Sequence, residues 1–182
     1  MNWLANIDNV LFRVINSSGD FNLDPIMILF SNKFIFIPIY IYIFFVLFKQ
    51  YKKQFIWILL SLGVLIFLAD FGSVHFFKNI FQRLRPCHQF DDIRIVLECG
   101  GLYGFISSHA ANMFSIAFFI GLVNRNLKLF IFLFSLASII GFSRIYLGVH
   151  FPLDIVGGML WAIIVSLLTF KLLSIKIDEK IQ

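Results

Sequence analysis

Long apolar runs separated by short polar clusters dominate the chain, and their lengths point to helices that cross a bilayer. Phe55 to Phe77, Ser107 to Val123, Leu127 to Phe142 and Leu153 to Leu173 are such runs. Another extends from Pro25 or later to Phe48, interrupted near its start by Ser31-Asn32-Lys33 and closed by Lys49, Lys52 and Lys53. Phe34 to Phe48 alone is shorter than the roughly 20 residues that span the hydrocarbon, so the entry point of this crossing is open. Asp24-Pro25 reads as an N-cap followed by a proline in the first helical turn. Ahead of it, Trp3, Leu4, Ile7, Val10, Leu11, Val14 and Ile15 recur at helical spacing. That pattern fits an amphipathic helix lying along the membrane, or an ordinary packed terminal helix. The polar connection from Asn79 to Phe105 cannot cross the bilayer and belongs in water or at the interface. The pattern predicts an all-α integral membrane bundle of about five transmembrane helices with an N-terminal interfacial helix. It forms one domain over residues 1–182 and ends in a short charged tail, Lys176 to Gln182.

Composition agrees. The chain has 182 residues, 60% of them hydrophobic, 25 Phe and a mean hydropathy of +0.90, which excludes an average soluble domain. Met1 to Gly19 lacks the basic start and long apolar core of a cleavable signal peptide. The net charge of +5 fits contact with phosphate and anionic lipid. Nucleic acid is not an expected partner, because no soluble basic domain or recognition motif is present. With five crossings, one set of helix ends carries eight basic residues: Lys49, Lys52, Lys53, Arg125, Lys128, Lys171, Lys176 and Lys180. The other carries seven: Arg13, Lys33, Lys78, Arg83, Arg85, Arg94 and Arg144. Lys78, Arg85 and Arg144 have a chemical reason to lie where they do, and setting them aside leaves eight against four. The positive-inside rule then puts the eight in the cytoplasm.

That chemical reason begins in Ser143 to Asp154, where Arg144, His150 and Asp154 fall between two apolar runs. Pro152 suits the first turn of a helix, which places His150 at its mouth and Asp154 one turn inside. A carboxylate there can accept a hydrogen bond from one imidazole nitrogen and leave the other free as a nucleophile. Arg144 supplies a planar cationic fork for phosphate oxygens. Taken alone, these residues serve equally well as interfacial anchors. Asp70, inside the second crossing, is either a functional group or a structural partner for a nearby Ser, amide or Lys; the second reading is favoured, because Asp70 lies outside the polar clusters. Cys87 and Cys99 leave a disulfide and two free thiols equally open, and lack the partners of a zinc site.

Two further clusters sit at helix ends: Lys78 with Arg85-Pro86, and Ser107-Ser108-His109. The three together resemble the signature motifs of the phosphatidic acid phosphatase type 2 superfamily, which also contains the vanadium haloperoxidases. The first motif, Lys, six residues, Arg-Pro, is complete in Lys78 and Arg85-Pro86. The third, Ser-Arg, five residues, His, three residues, Asp, is complete in Ser143-Arg144, His150 and Asp154. The second, usually Pro-Ser-Gly-His, reads Ile106-Ser107-Ser108-His109, and its Gly-to-Ser change places a side chain beside a phosphate-facing amide. The resemblance covers about Asp70 to Gly158.

The resemblance implies His150 as nucleophile through a phosphohistidine, Asp154 orienting it, and His109 protonating the departing oxygen before activating water. It assigns phosphate to Lys78, Arg85, Ser107, Ser108 and Arg144, with no metal or cofactor. The expected activity is a lipid phosphatase at the outer face of a bacterial inner membrane, with undecaprenyl diphosphate as the leading substrate and lipid A and phosphatidylglycerol phosphate as alternatives. A non-enzymatic phospholipid-binding or transport protein is the reading of another class, weakened because the charges cluster at helix ends on one side. A vanadate-dependent haloperoxidase is weakened because those relatives are soluble. The sequence carries no signal for oligomeric state.

Overall fold

A computed structural model describes residues 2–175, and the charged tail from Lys176 to Gln182 lies outside the described residues. The described chain is built of helices and turns, with one isolated bridge between Leu84 and Tyr103.

The first helix, α1 (Asn2–Ser17), turns its faces opposite to those of a water-soluble packed helix. Asp8, Phe12 and Asn16, spaced one turn apart, are buried, while Trp3, Leu4, Ile7, Val10, Leu11 and Val14 are exposed. The inward polar groups are satisfied: Asn16 donates to the carbonyls of Arg94 (2.8 Å) and Tyr146 (3.0 Å). The outward apolar face is the surface an interfacial helix needs.

The expected first crossing is divided into α2 (Asp24–Ser31) and α3 (Ile37–Tyr51). Asn32 leaves the helical region at φ −84°, ψ 107°, and its side chain accepts the Phe34 amide at 3.0 Å. A 3-10 turn, Lys33–Phe36, follows, and Pro38 starts α3. The interruption is therefore a true break, made by a side chain that competes with the helix for backbone donors. Asp24 does not cap α2; its carboxylate pairs with Arg94 and accepts the Tyr146 hydroxyl at 3.0 Å.

The chain reverses at Lys52, whose φ of +47° ends α3, and returns as α4 (Phe55–Gly72). A π-helical turn, Ser73–Lys78, carries α4 into α5 (Asn79–Phe81). After α6 (Pro86–Gln89) come α7 (Ser108–Asn124), α8 (Leu127–Tyr146) and α9 (Pro152–Ser174).

Helix α7 is central, packing on α9 most extensively and also on α8 and α4. Small residues permit the close approach: a side chain on Gly158 would strike Ala110 and the backbone of Ser107 at 2.9 Å. Side-chain contacts fix the helix directions. Tyr40 meets Met113 and Tyr51 meets the Val123 carbonyl, so α3 runs with α7. Ser73 meets Ser108, so α4 runs against it. Phe118 packs on Phe130 and Phe114 on Phe134, so α8 also runs against it, while Ser166 bonds the Ser115 carbonyl from a parallel α9. The five apolar helices thus alternate in direction.

The stretches Phe34–Phe81, Leu127–Tyr146 and Pro152–Ser174 are long and apolar enough to cross a membrane, the first of them containing the reversal at Lys52. Helix α7 is apolar but shorter, about 26 Å for its 17 residues. The protein is a multi-pass membrane protein. All three polar clusters lie at one end of the bundle, where α4, α7, α8 and α9 meet.

Candidate active site

The end of α8 builds the site's most constrained corner. Instead of stopping near Phe142, α8 continues to Tyr146, so Arg144 sits buried in its last turn rather than in a loop. The turn closes as a Schellman motif: Val149 N–H bonds the Arg144 carbonyl (3.1 Å) and Gly148 N–H that of Ile145 (3.0 Å). Gly148 occupies the position needing positive φ, at +85°. The reversal delivers His150, 1% exposed, to the mouth of α9.

At that mouth Asp154 is the third residue of α9 and its carboxylate reaches back. One oxygen accepts His150 Nδ1 at 3.1 Å and the Phe151 amide at 3.0 Å. The other accepts Arg83 Nη1 at 3.1 Å. With Nδ1 carrying the proton toward Asp154, Nε2 holds the lone pair, and Arg85 Nη1 points at it from 3.0 Å. Burial first, then the charges of Arg85, Arg144, Lys78 and Arg83, pushes the His150 pKa well below its ordinary 6.5. The ring is therefore neutral, as a nucleophile must be.

Arg85 is itself held by the outer connection, through Nε to the Gly101 carbonyl (2.7 Å) and Nη1 to the Val149 carbonyl (3.3 Å). Burial lowers its pKa below the ordinary arginine range. Cys87 and Cys99, on either side of this loop, are bridged, with Cα atoms 6.1 Å apart. Their sulfurs are consumed, so the cluster they form with His88 offers no thiolate to a metal. Gly104 admits the arrangement, since a side chain there would lie 2.9 Å from Asp154 Oδ2.

The second cluster opens α7. Ser107 is its N-cap, accepting the Ala110 amide at 3.4 Å, and its own amide bonds the Asp154 carbonyl at 3.0 Å. Ser108, the departure from the family pattern, is occupied: its hydroxyl receives Lys78 Nζ at 2.6 Å and meets Ser73 Oγ at 2.6 Å. The extra hydroxyl thus holds the cation of the first cluster. His109 shares the wall of one cavity with Ser108 and of another, about 410 Å³, with Arg144. Arg144 bonds Ser31, and its Nε lacks a partner among the described residues. Every expected site residue thus falls at this end, where charges from the first and third clusters act on His150 and the second cluster joins them through Ser108 to Lys78 and Ser107 to Asp154.

Two residues of the site escaped sequence reasoning. Arg83 bridges Asp154 and Asp8, and stacks 4.1 Å from the Phe151 ring. Asp8 in turn accepts the Leu153 amide at 2.8 Å, tying α1 to the start of α9; burial raises its pKa, with Arg83 opposing. Arg83 and Arg85 alternate along an extended segment, and that period of two was the available signal. Asp70, expected as a structural partner, accepts Ser73 Oγ at its backbone carbonyl (2.7 Å) and its charge acts on Lys78, while its carboxylate accepts no hydrogen bond among the described residues and lines two cavities.

Residues 54–178 match the PAP2 superfamily. The chain belongs to that family. Similar proteins include a lipid A 4'-phosphatase from Porphyromonas gingivalis, 32% identical over 94% of this chain and 75% of the relative. A second, from Bacteroides thetaiotaomicron, is 32% identical over 86% and 72%. An undecaprenyl-diphosphatase from Sulfolobus acidocaldarius is more distant, 25% identical over 94% and 81%. Among solved structures, LpxE of Aquifex aeolicus superposes with a TM-score of 0.67 at 27% identity, covering 88% of this chain and 93% of LpxE. A PAP2-type phosphatidylglycerolphosphate phosphatase from Bacillus subtilis gives 0.72 at 22% identity over 99% and 90%, which speaks to fold alone. The protein is a membrane PAP2 lipid phosphatase.

Proposed function

We propose that this phosphatase removes a phosphomonoester from a lipid A-type sugar headgroup, at the outer face of the inner membrane, through a phosphohistidine. The geometry that carries the chemistry is His150 held between Asp154 at Nδ1 and Arg85 at Nε2. The Nε2 lone pair attacks phosphorus as the bond to the headgroup oxygen breaks. His109 gives its proton to that oxygen, releasing an alcohol. A water then attacks the phosphohistidine, passes a proton to His109, and the phosphorus–nitrogen electrons return to Nε2, releasing inorganic phosphate. Lys78, Arg85, Arg144 and the α7 N-terminus at Ser107 and Ser108 stabilise charge on the transferring group. Because the clusters sit opposite Lys49, Lys52, Lys53 and Lys128, the positive-inside rule turns the site toward the periplasm. The whole chain acts as a single domain with its chemistry in residues 70–158.

Sequence likeness supports the substrate: both lipid A 4'-phosphatases are nearer than the undecaprenyl-diphosphatase. Phosphate release by detergent-solubilised protein decides it. Lipid A should give the highest kcat/KM among lipid A, undecaprenyl diphosphate and phosphatidylglycerol phosphate. A preference for undecaprenyl diphosphate would sink this assignment.

A further inference from the structure

One turn below Ser108 and His109 on α7, a cavity of about 250 Å³ opens between the helices. Tyr40, Asp70, Ser108, His109 and Asn112 line its polar side, and its remaining wall is largely apolar. A second cavity, about 480 Å³, shares Asp70 and Asn112 and opens along Phe67 and Phe71 on the outer surface of α4. Asp70 carries an exposed carboxylate with no hydrogen-bond or ion-pair partner among the described residues. Asn112 has a buried Oδ1 that likewise lacks a partner there. Both groups are acceptors, and a bilayer imposes a cost on each unless a donor arrives.

We propose that this cavity is the leaving-group subsite and that Asp70 and Asn112 select a neutral, hydroxyl-bearing headgroup over the anionic leaving group of a diphosphate. The inference rests on the proposed roles of His150 and His109, and it deepens the lipid A reading. If His109 protonates the departing oxygen, the body of the leaving group lies on the His109 side of phosphorus, and this cavity is the one of the two lined by His109 that also holds Asp70 and Asn112. A sugar brings hydroxyl donors to two unpartnered acceptors. A diphosphate instead leaves a lipid phosphate there, which brings acceptors and negative charge toward a carboxylate. The opening along Phe67 and Phe71 gives the acyl chains a route to the bilayer.

Asp70→Asn removes the charge without changing the size of the side chain. With lipid A and undecaprenyl diphosphate as substrates in detergent, it should raise KM for lipid A and shift the ratio of the two kcat/KM values toward the diphosphate by about tenfold or more. Asn112→Leu leaves the charge in place and should raise KM for lipid A more than KM for the diphosphate. A ratio within about threefold of wild type for Asp70→Asn overturns the inference. So does an Asn112→Leu variant that affects both substrates equally. The wild-type ratio separately tests the lipid A reading: if wild type prefers the diphosphate, that reading fails, while the shift caused by Asp70→Asn still decides the role of Asp70.

Discussion

Replacing Arg83 with Gln strands two carboxylates at once, because Asp8 and Asp154 share its guanidinium and both side chains are fully buried. Removing one member of a buried ion pair costs about 3–5 kcal/mol. Here the lower figure, about 3 kcal/mol, applies, because Arg83 is one-quarter exposed and both carboxylates keep backbone donors at Leu153 and Phe151. At about 2–4 °C per kcal/mol for a chain of this size, the melting temperature in detergent should fall by about 6–12 °C. Asp154 still accepts Nδ1 of His150 through its other oxygen, so Arg83→Gln should form phosphoenzyme, more slowly than wild type. Adding Asp8→Asn removes one stranded charge and should recover part of the lost stability, a coupling of about 0.5–3 kcal/mol. A melting temperature within about 2 °C of wild type, or additive losses in the double variant, would refute the reasoning.

Three other outcomes follow from the same geometry. His150 stays neutral in the fold, whereas in the unfolded chain it binds a proton near pH 6.5, so the unfolded state binds more protons and stability falls as pH drops below that value. Melts from pH 8 to 5 should show this loss in wild type and less of it in His150→Gln, and equal slopes would contradict it. Cys87→Ser opens a loop with a sequence separation of 12 and should cost about 3 kcal/mol on the chain-entropy account, read as a lower denaturant midpoint. Ser108→Gly removes a hydroxyl that bonds Lys78 and should change kcat/KM by less than about tenfold; a change of several orders of magnitude would give Ser108 a catalytic role of its own.

The parts of this protein that could be read from its sequence are those encoded over short distances. Lys78 to Arg85, Ser107 to His109 and Ser143 to Asp154 are local spacings at the ends of apolar runs, and those ends do converge. The Arg83–Asp8 pair joins residues 75 positions apart, so no local pattern announced it. Hydropathy also cannot tell which face of α1 looks inward, because in a membrane the polar face of a helix can be the packed one. The break at Asn32 was visible as a polar interruption, but its effect depended on a side-chain bond to Phe34. Asp70 was discounted for lying outside the three clusters, although it stands beside them in space.

The central claim is that His150 carries the phosphoryl group. Rapid quenching into alkali, with substrate labelled in that group, tests it directly. Wild type should trap label on His150, located by peptide mass spectrometry, and His150→Ala should trap none while His109→Ala retains it. Label that persists on His150→Ala would contradict the account.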